Sequence, residues 1–198
     1  MKRRRFAQTA DMEQTLPRIQ SREKISRVLA CCLLSFLFSF LGWVFEKIYF
    51  GFAYGVNADR GFLTLPFCTV YGSALLFIRL ILGLPRTDLP YPRNALRWLL
   101  YSVLAGLIAT AVELSTGLFF EEVFDARLWT YCGYPHVYRN YICLPVSIGW
   151  GAAIGIGMAG FWAPLENALM RAPLPLLGWS STVLLLSILV DFLLTAFL

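Results

Sequence analysis

Long apolar runs separated by short polar stretches dominate the pattern of this chain. Two of the runs are free of charge and each of the others holds a single charged residue. The runs are residues 28–45, 61–84, 98–120, 142–165 and 173–198. A helix of about 20 mostly apolar residues crosses the hydrocarbon of a bilayer. The pattern therefore predicts five transmembrane helices, over residues 28–48, 63–84, 96–120, 142–165 and 173–196.

Composition supports the same class. The chain is 58% hydrophobic and 15% charged, whereas a soluble domain is about 45–50% apolar and about 25% charged. We predict an all-α, polytopic membrane helix bundle at residues 25–198. Residues 1–24 are expected to form a basic, mobile cytoplasmic tail. The first apolar run is too long for a cleaved signal peptide.

The placement of Lys and Arg predicts the orientation. Cytoplasmic segments of membrane proteins carry an excess of these residues. Of the 17 present, eight lie before residue 28, four lie from Arg79 to Arg97, and one is Arg171. An orientation with the N-terminus inside and the C-terminus outside puts all of these in the cytoplasm. The net charge of +5 is thereby explained by topology and anionic lipid, and nucleic-acid binding is not predicted.

Two stretches share an ordered pattern that indicates a repeated hairpin. R-G-F-L-T-L-P-x4-Y-G begins at Arg60, and R-N-Y-I-C-L-P-x4-W-G begins at Arg139. Before each pattern, three small residues and then a glutamate follow one another at intervals of 4, 3 and 4 residues. The first set is Ser35, Ser39, Gly42 and Glu46, and the second is Ser102, Gly106, Ala109 and Glu113. We interpret this as two parallel units related by an axis along the membrane normal. The alternative is chance, because such residues are common in membrane helices.

The acidic residues of the apolar runs are the candidates for chemistry. A charge within the bilayer is expensive and marks a pathway or a paired site. Glu46, Glu113 and Asp191 all fall toward the predicted outer side, so we expect them to meet in an outward-facing polar site. Arg60 and Arg139 are the expected counter-ions. Further candidate residues on this side are Tyr71, Glu122 and Trp129.

Simpler interpretations of these residues stay open. Glu46–Arg60 and Glu113–Arg139 (or Glu113–Arg127) could be salt bridges that hold the outer loops to the helices. The aromatic loop around Trp129 could be an interfacial belt or a lid over the site. Pro66 is expected in the first turn of the second helix, where a missing N–H costs nothing. Gly151 and Gly155 form a GxxxG motif that predicts close helix packing.

Several kinds of chemistry lack their motifs in the sequence. It contains no phosphate-binding G-x4-G-K-[ST] loop and no HExxH motif, so no ATPase activity, metal or cofactor is predicted. An enzymatic function is left open without a nucleophile motif to support it. A disulfide between two of Cys68, Cys132 and Cys143 is also left open.

A longer set of motifs resembles a known family. The order is G-W-x2-E at Gly42, R-G-F-L at Arg60, P-x4-Y-G at Pro66, E-x8-E-x-F-x4-W-x-Y at Glu113, then I-C-L and W-G. It is similar to the bacterial family of "putative ABC-transporter type IV permeases". The resemblance implies a bacterial, multi-pass cell-membrane protein with a separate ATPase partner. Thr130 stands where the family has an acid, so no role of that acid is carried over.

Three functions follow as hypotheses. The first is a permease component of a transporter, working as an oligomer, with an ATPase subunit docking on the loop from Arg79 to Arg97. The second is a membrane-embedded enzyme that acts on a lipid or cell-envelope substrate at the outer leaflet. The third is an assembly factor without a site.

Overall fold

The structure, a computed structural model, describes residues 2–55, 62–85 and 93–197, with side chains from residue 20 onward except that of residue 54. The helices are α1 (Lys2–Tyr54), α2 (Thr69–Ile81), α3 (Arg93–Phe124), α4 (Leu144–Gly157), α5 (Ala163–Leu169) and α6 (Leu174–Phe197). A π-helical turn, Met158–Trp162, joins α4 to α5. Between α3 and α4, strands β1 (Val137–Tyr138) and β2 (Ile142–Cys143) pair antiparallel. We call the end of the bundle that carries this β hairpin the loop end, and we call the opposite end the tail end.

The helices are apolar enough for a membrane. Among the described residues, four helical segments have the length and hydropathy to cross a bilayer: Gln20–Ala53, Arg93–Phe124, Leu144–Leu169 and Leu174–Phe197. Large apolar side chains such as Leu107, Phe161 and Leu185 are about 60% exposed on the outside of the bundle. The all-helical class is thus confirmed, and four of the predicted spans have matching helices. The orientation and the division at residue 24, which α1 passes without a break, stay predictions.

The second predicted span is shorter than expected. Helix α2 has 13 residues, which is about 20 Å at 1.5 Å per residue, and residues 62–68 before it are not helical. Pro66 therefore precedes the helix rather than lying in its first turn. In the second helical hairpin the equivalent residue, Pro145, does lie in the first turn of its helix, α4.

Asp191 of α6 binds the non-helical segment that precedes α2. Its carboxylate accepts hydrogen bonds from the Thr64 hydroxyl and, at 3.0 Å, from the Leu65 N–H. The Cys68 N–H donates to the Ser39 carbonyl of α1 at 3.0 Å. Backbone groups in an apolar environment need partners. Here these partners come from two neighbouring helices.

We expect Asp191→Ala to lower stability by about 1–3 kcal/mol, because the Leu65 N–H and the Thr64 hydroxyl lose a buried acceptor. Thermal unfolding of the purified protein in detergent measures this. Ser187→Ala, one turn earlier on α6, is the matched control. Its hydroxyl donates to the Val183 carbonyl of its own helix. Equal melting temperatures for the two variants would contradict this role of Asp191.

Two hairpins of similar construction make up most of the bundle. At Gly72 of α2, an added Cβ atom would overlap the Ser35 carbonyl and the Ser39 hydroxyl of α1. At Gly151 of α4, an added Cβ would lie 2.7 Å from the Ser102 carbonyl and 3.4 Å from Gly106 Cα of α3. In each helical hairpin, this glycine therefore packs on two of the regularly spaced small residues of the preceding helix. The close approach predicted at the GxxxG motif is confirmed.

The apolar core fills the half of the bundle toward the tail end. Leu34 of α1, Ile78 of α2 and Ala105 of α3 meet Met158 and Trp162 of the π turn, and each is at most 1% exposed. The Trp162 indole also stacks on the ring of Phe38, with 5.5 Å between centroids. This dense packing leaves the half toward the loop end as the place for a cavity.

Candidate functional site

A cavity of about 1390 Å³ lies in the half of the bundle toward the loop end. Residues of α1, α2, α3, α4 and α6 line it, together with the loop that follows α3. Its walls are largely aromatic and aliphatic, and they include Glu46, Tyr71, Glu113, Trp129, Tyr131 and Trp150. Binding sites for small molecules are usually apolar cavities with a few polar groups, which matches this lining.

Glu46 brings one carboxylate to the cavity from α1. The Tyr71 hydroxyl, from the first turn of α2, donates a hydrogen bond of 2.9 Å to its Oε1 atom. The Tyr71 ring packs edge-to-face on Trp150 of α4, with 5.3 Å between centroids. Ring packing fixes the phenol, so Tyr71 positions the carboxylate as well as lining the wall.

Glu113 brings a second carboxylate from α3. The Tyr131 hydroxyl, from the loop, donates a hydrogen bond of 2.9 Å to its Oε1 atom. The Tyr131 N–H in turn donates to the Asn140 carbonyl at 2.8 Å, which fastens this part of the loop to the β hairpin. Burial and then the nearby Glu113 carboxylate raise the pKa of Tyr131 above its ordinary value. The phenol thus stays protonated at neutral pH and remains a donor.

The predicted arginine partners have different outcomes. Arg60 lies outside the described residues. Arg139 is exposed in the turn between β1 and β2, with a left-handed φ of 49°, and the group that bonds Glu113 is the Tyr131 hydroxyl. Arg127 pairs with Glu121. A neutral phenol, rather than a guanidinium, therefore holds the Glu113 carboxylate.

Trp129 is held where the loop meets the cavity. Its indole N–H donates to the Tyr141 carbonyl at 3.1 Å, and the two rings pack edge-to-face with 5.9 Å between centroids. The Tyr141 side chain fills the space above Gly117 of α3, where an added Cβ would be 2.5 Å from its ring. Trp129, Tyr131 and Tyr134 all line the cavity, whereas Tyr138 is 58% exposed.

Two other candidate residues do not face the cavity. Glu122 is exposed near the end of α3. Asp191 is buried, but its carboxylate bonds the segment before α2 instead of approaching the two glutamates. Neither residue is part of the cavity wall formed by the described residues. The expectation that Asp191 joins Glu46 and Glu113 is therefore wrong for this structure.

The cysteines near the loop end are free thiols. Cys143 is buried, with its Sγ atom 3.7 Å from the Pro135 carbonyl oxygen, whereas Cys132 is exposed. Cys68 is partly buried just before α2. The disulfide left open by the sequence is not formed.

A buried ion-pair cluster at the tail end was not predicted. Glu166 of α5 is 4% exposed in its side chain, and Arg79 of α2 binds it through Nε at 2.7 Å and a terminal nitrogen at 2.8 Å. The Trp162 indole N–H also donates to Glu166, at 3.0 Å. Arg27 of α1 lies 3.8 Å away and is more exposed. The cluster connects α1, α2 and α5 on the side of the apolar core that faces the tail end.

A sequence signal for this cluster exists. Arg79 is the single charge of the second apolar run, and Glu166 is the first charge after the fourth. Because successive spans alternate in direction, the second and fourth runs end on the same side of the bundle. Their two single charges, which have opposite signs, therefore lie at a similar depth. A charge that is expensive to bury points to a partner of opposite sign. Pairing these two charges across the runs would have predicted the contact.

Comparison with known proteins agrees with the motifs. The family described as "Putative ABC-transporter type IV" matches residues 33–196. No curated protein and no solved structure matches this chain. The match spans α1 from its middle through α6 and includes both glutamates of the cavity. The chain therefore belongs to the family described as "Putative ABC-transporter type IV".

Proposed function

We propose that this chain is the membrane-spanning permease component of a bacterial transporter, with the cavity near the loop end as its substrate site. The observation that carries the proposal is the pair Glu46 and Glu113. They lie on different helices, line one cavity, and are each hydrogen bonded to a tyrosine. Charges within a bilayer are retained mainly where they serve a pathway or a site.

A duplicated hairpin supports the same function. Gly72 packs on Ser35 and Ser39 just as Gly151 packs on Ser102 and Gly106, and the glutamates occupy equivalent positions of the two stripes. Transporters commonly consist of two repeated units with the substrate site at their interface. Under this proposal the cavity lies between two descendants of one ancestral hairpin.

The tail end is closed in this structure, which supports an outward-facing state. The apolar core around Ile78 and Met158 and the Arg79–Glu166 pair lie between the cavity and the tail end. With the N-terminus in the cytoplasm, the cavity faces the outside of the cell. Transport then requires α2 and α5 to separate at this ion pair.

An ATPase partner would dock at the cytoplasmic face. Arg79 is engaged by Glu166, so it is not available for such a contact in this state. Arg93 and Arg97 at the start of α3 are exposed and remain for docking, whereas the predicted loop residues 86–92 lie outside the described chain. We propose that the partner binds around the start of α3.

Removing both carboxylates from the cavity tests the function. In the native host, the chromosomal copy is replaced by Glu46→Gln/Glu113→Gln, and solutes in cells and medium are compared by mass spectrometry. We expect at least one solute to change its distribution about tenfold or more, because losing a buried charged partner costs about 2–5 kcal/mol of binding. Glu122→Gln, which removes an exposed carboxylate, is the matched control.

Two outcomes would count against the transport proposal. One is an unchanged solute distribution although wild type and double variant reach equal amounts in the membrane. The other is a change confined to the chemical structure of an envelope lipid, which would support the enzymatic alternative instead.

A further inference from the structure

We propose that the π-helical turn Met158–Trp162 is a hinge, about which α5 swings away from α1 and α2 to open the tail end of the bundle. The inference rests on the proposed function only in taking the tail end as the side that opens. It assigns the moving part of the bundle and the point at which it bends.

The backbone of this span is irregular near its middle. The apolar helical segment Leu144–Leu169 consists of α4, the π turn and α5, and the Ala163 N–H donates to the Met158 carbonyl five residues before it. Pro164 comes next and has no N–H to donate to the Gly160 carbonyl, as a regular α-helix would require. Sharp bends in helices occur at prolines and at π turns, and this span has both within a few residues.

Two glycines give the turn freedom to bend. Gly157 precedes the π turn and Gly160 is its central residue. At both positions no atom of the described residues beyond the local helix lies within 4 Å of an added Cβ, so packing does not require a glycine. Relative to alanine, glycine favours departure from the helical conformation by about fivefold at each position. The glycines therefore make this turn easier to bend than the rest of the span.

The side chains that hold α5 in place meet at one carboxylate. Glu166 of α5 accepts hydrogen bonds from Arg79 of α2 and from the Trp162 indole. On α1, Arg27 lies 3.8 Å from Glu166, and the Cys31 Sγ atom lies 3.9 Å from its Oε2 atom. Because these contacts converge on Glu166, one movement of α5 breaks them together.

The hinge is also the floor of the cavity. Gly157 and Met158 line the cavity, together with Phe38 of α1. The Phe38 ring stacks on Trp162, with 5.5 Å between centroids, and Trp162 is bonded to Glu166. A swing of α5 about this turn therefore displaces the floor and the ion pair at once, and it connects the cavity with the tail end.

The thiol of Cys31 reports this movement in the unmodified chain. Cys31 is 5% exposed and lies beside Glu166, so α5 covers it in the closed state. The full chain in nanodiscs is treated with N-ethylmaleimide, and digestion followed by mass spectrometry gives the labelling rate of each cysteine. Cys143, which is 1% exposed near the loop end, is the internal reference for unfolding of the whole bundle. We expect measurable labelling of Cys31, at least tenfold faster than that of Cys143.

Stiffening the hinge should slow this labelling. Gly157→Ala/Gly160→Ala is expected to reduce the labelling rate of Cys31 about tenfold, because alanine favours the helical conformation at both positions. Gly149→Ala, earlier in the same span and equally free of neighbours among the described residues beyond its own helix, is the matched control. It should leave the rate unchanged.

Weakening the attachment of α5 should have the opposite effect. Trp162→Phe keeps a ring that can stack on Phe38 and removes the N–H that bonds Glu166. A lost hydrogen bond to a charged group should raise the labelling rate of Cys31 about tenfold. The charge beside the thiol is the same in this variant, so the rate reports on opening.

Three results would overturn the inference. The first is a Cys31 that stays unlabelled in the wild type although it reacts after denaturation. The second is an equal labelling rate in the wild type and in the double glycine variant. The third is a parallel change of the Cys31 and Cys143 rates, which would show that the whole bundle unfolds.

The outcomes separate this inference from the transport proposal. If labelling of Cys31 follows the hinge variants but no solute distribution depends on Glu46 and Glu113, the hinge stands and transport is wrong. If solute distribution depends on the two glutamates but the hinge variants leave labelling unchanged, the hinge is wrong and transport stands.

Discussion

Gly72→Ala is expected to destabilise the protein by about 3 kcal/mol or more, the upper end of the range for an overpacked site. The added methyl group would overlap the Ser35 backbone carbonyl and the Ser39 hydroxyl. A backbone carbonyl of a packed helix cannot rotate away, so α1 and α2 have to move apart. The expected result is a large fall in melting temperature in detergent, measured by scanning fluorimetry.

Two further glycines calibrate this prediction. At Gly149 in α4, no atom of the described residues beyond the local helix lies within 4 Å of an added Cβ, so Gly149→Ala should be neutral or gain up to about 1 kcal/mol from helix propensity. Gly151→Ala would place its Cβ 2.7 Å from the Ser102 carbonyl and should fall between the other two. A melting temperature of Gly72→Ala equal to that of Gly149→Ala would show that the first hairpin is less closely packed than described.

Glu166→Gln is expected to cost about 3–5 kcal/mol, because it leaves the buried Arg79 guanidinium without a compensating charge. The side chains of Glu166 and Arg79 are 4% and 17% exposed, and their contact is bidentate. Glutamine could still accept the Trp162 N–H bond, so the loss reports mainly on the charge. Melting temperature and the yield of monodisperse protein in detergent measure the effect.

A double-mutant cycle separates the pair from its surroundings. Adding Arg79→Leu to Glu166→Gln should restore part of the lost stability, since removing both members of a buried pair is often close to neutral. Arg27→Ala is the control: its side chain is 55% exposed and lies 3.8 Å from Glu166, so it should cost about 1 kcal/mol or less. Strictly additive losses would argue against a direct pair.

The all-helical class could be predicted because helices surrounded by lipid require long apolar runs in the sequence. Each span needs a run of about 20 apolar residues, and such a run can be recognised without knowing which helices pack against each other. The close packing at the glycines could also be predicted from the sequence, because small residues at intervals of three and four lie on one face of a helix. Gly151 and Gly155 pack closely on a neighbouring helix, as their spacing indicated, and the residue that they both meet is Ser102.

The shortened α2 could not be predicted from its own residues. The run 63–84 is apolar enough to span, and Pro66 is compatible with a first helical turn. The helix begins only at Thr69, and the Leu65 N–H before it binds a carboxylate 126 residues later in the chain. The same limit applies to the partner of Glu113, which is Tyr131. Electrostatics favoured an arginine, whereas the fold of the loop brings a phenol.

The bond between α6 and the segment before α2 has a consequence for biogenesis. Leu65 and Asp191 are 126 residues apart, so at about 5–20 residues per second the ribosome needs roughly 6–25 s to make the stretch between them. During that interval the Leu65 N–H and the Thr64 hydroxyl must bind water or lipid headgroups at the bilayer surface. The first hairpin therefore acquires its final form only after the last helix has been inserted.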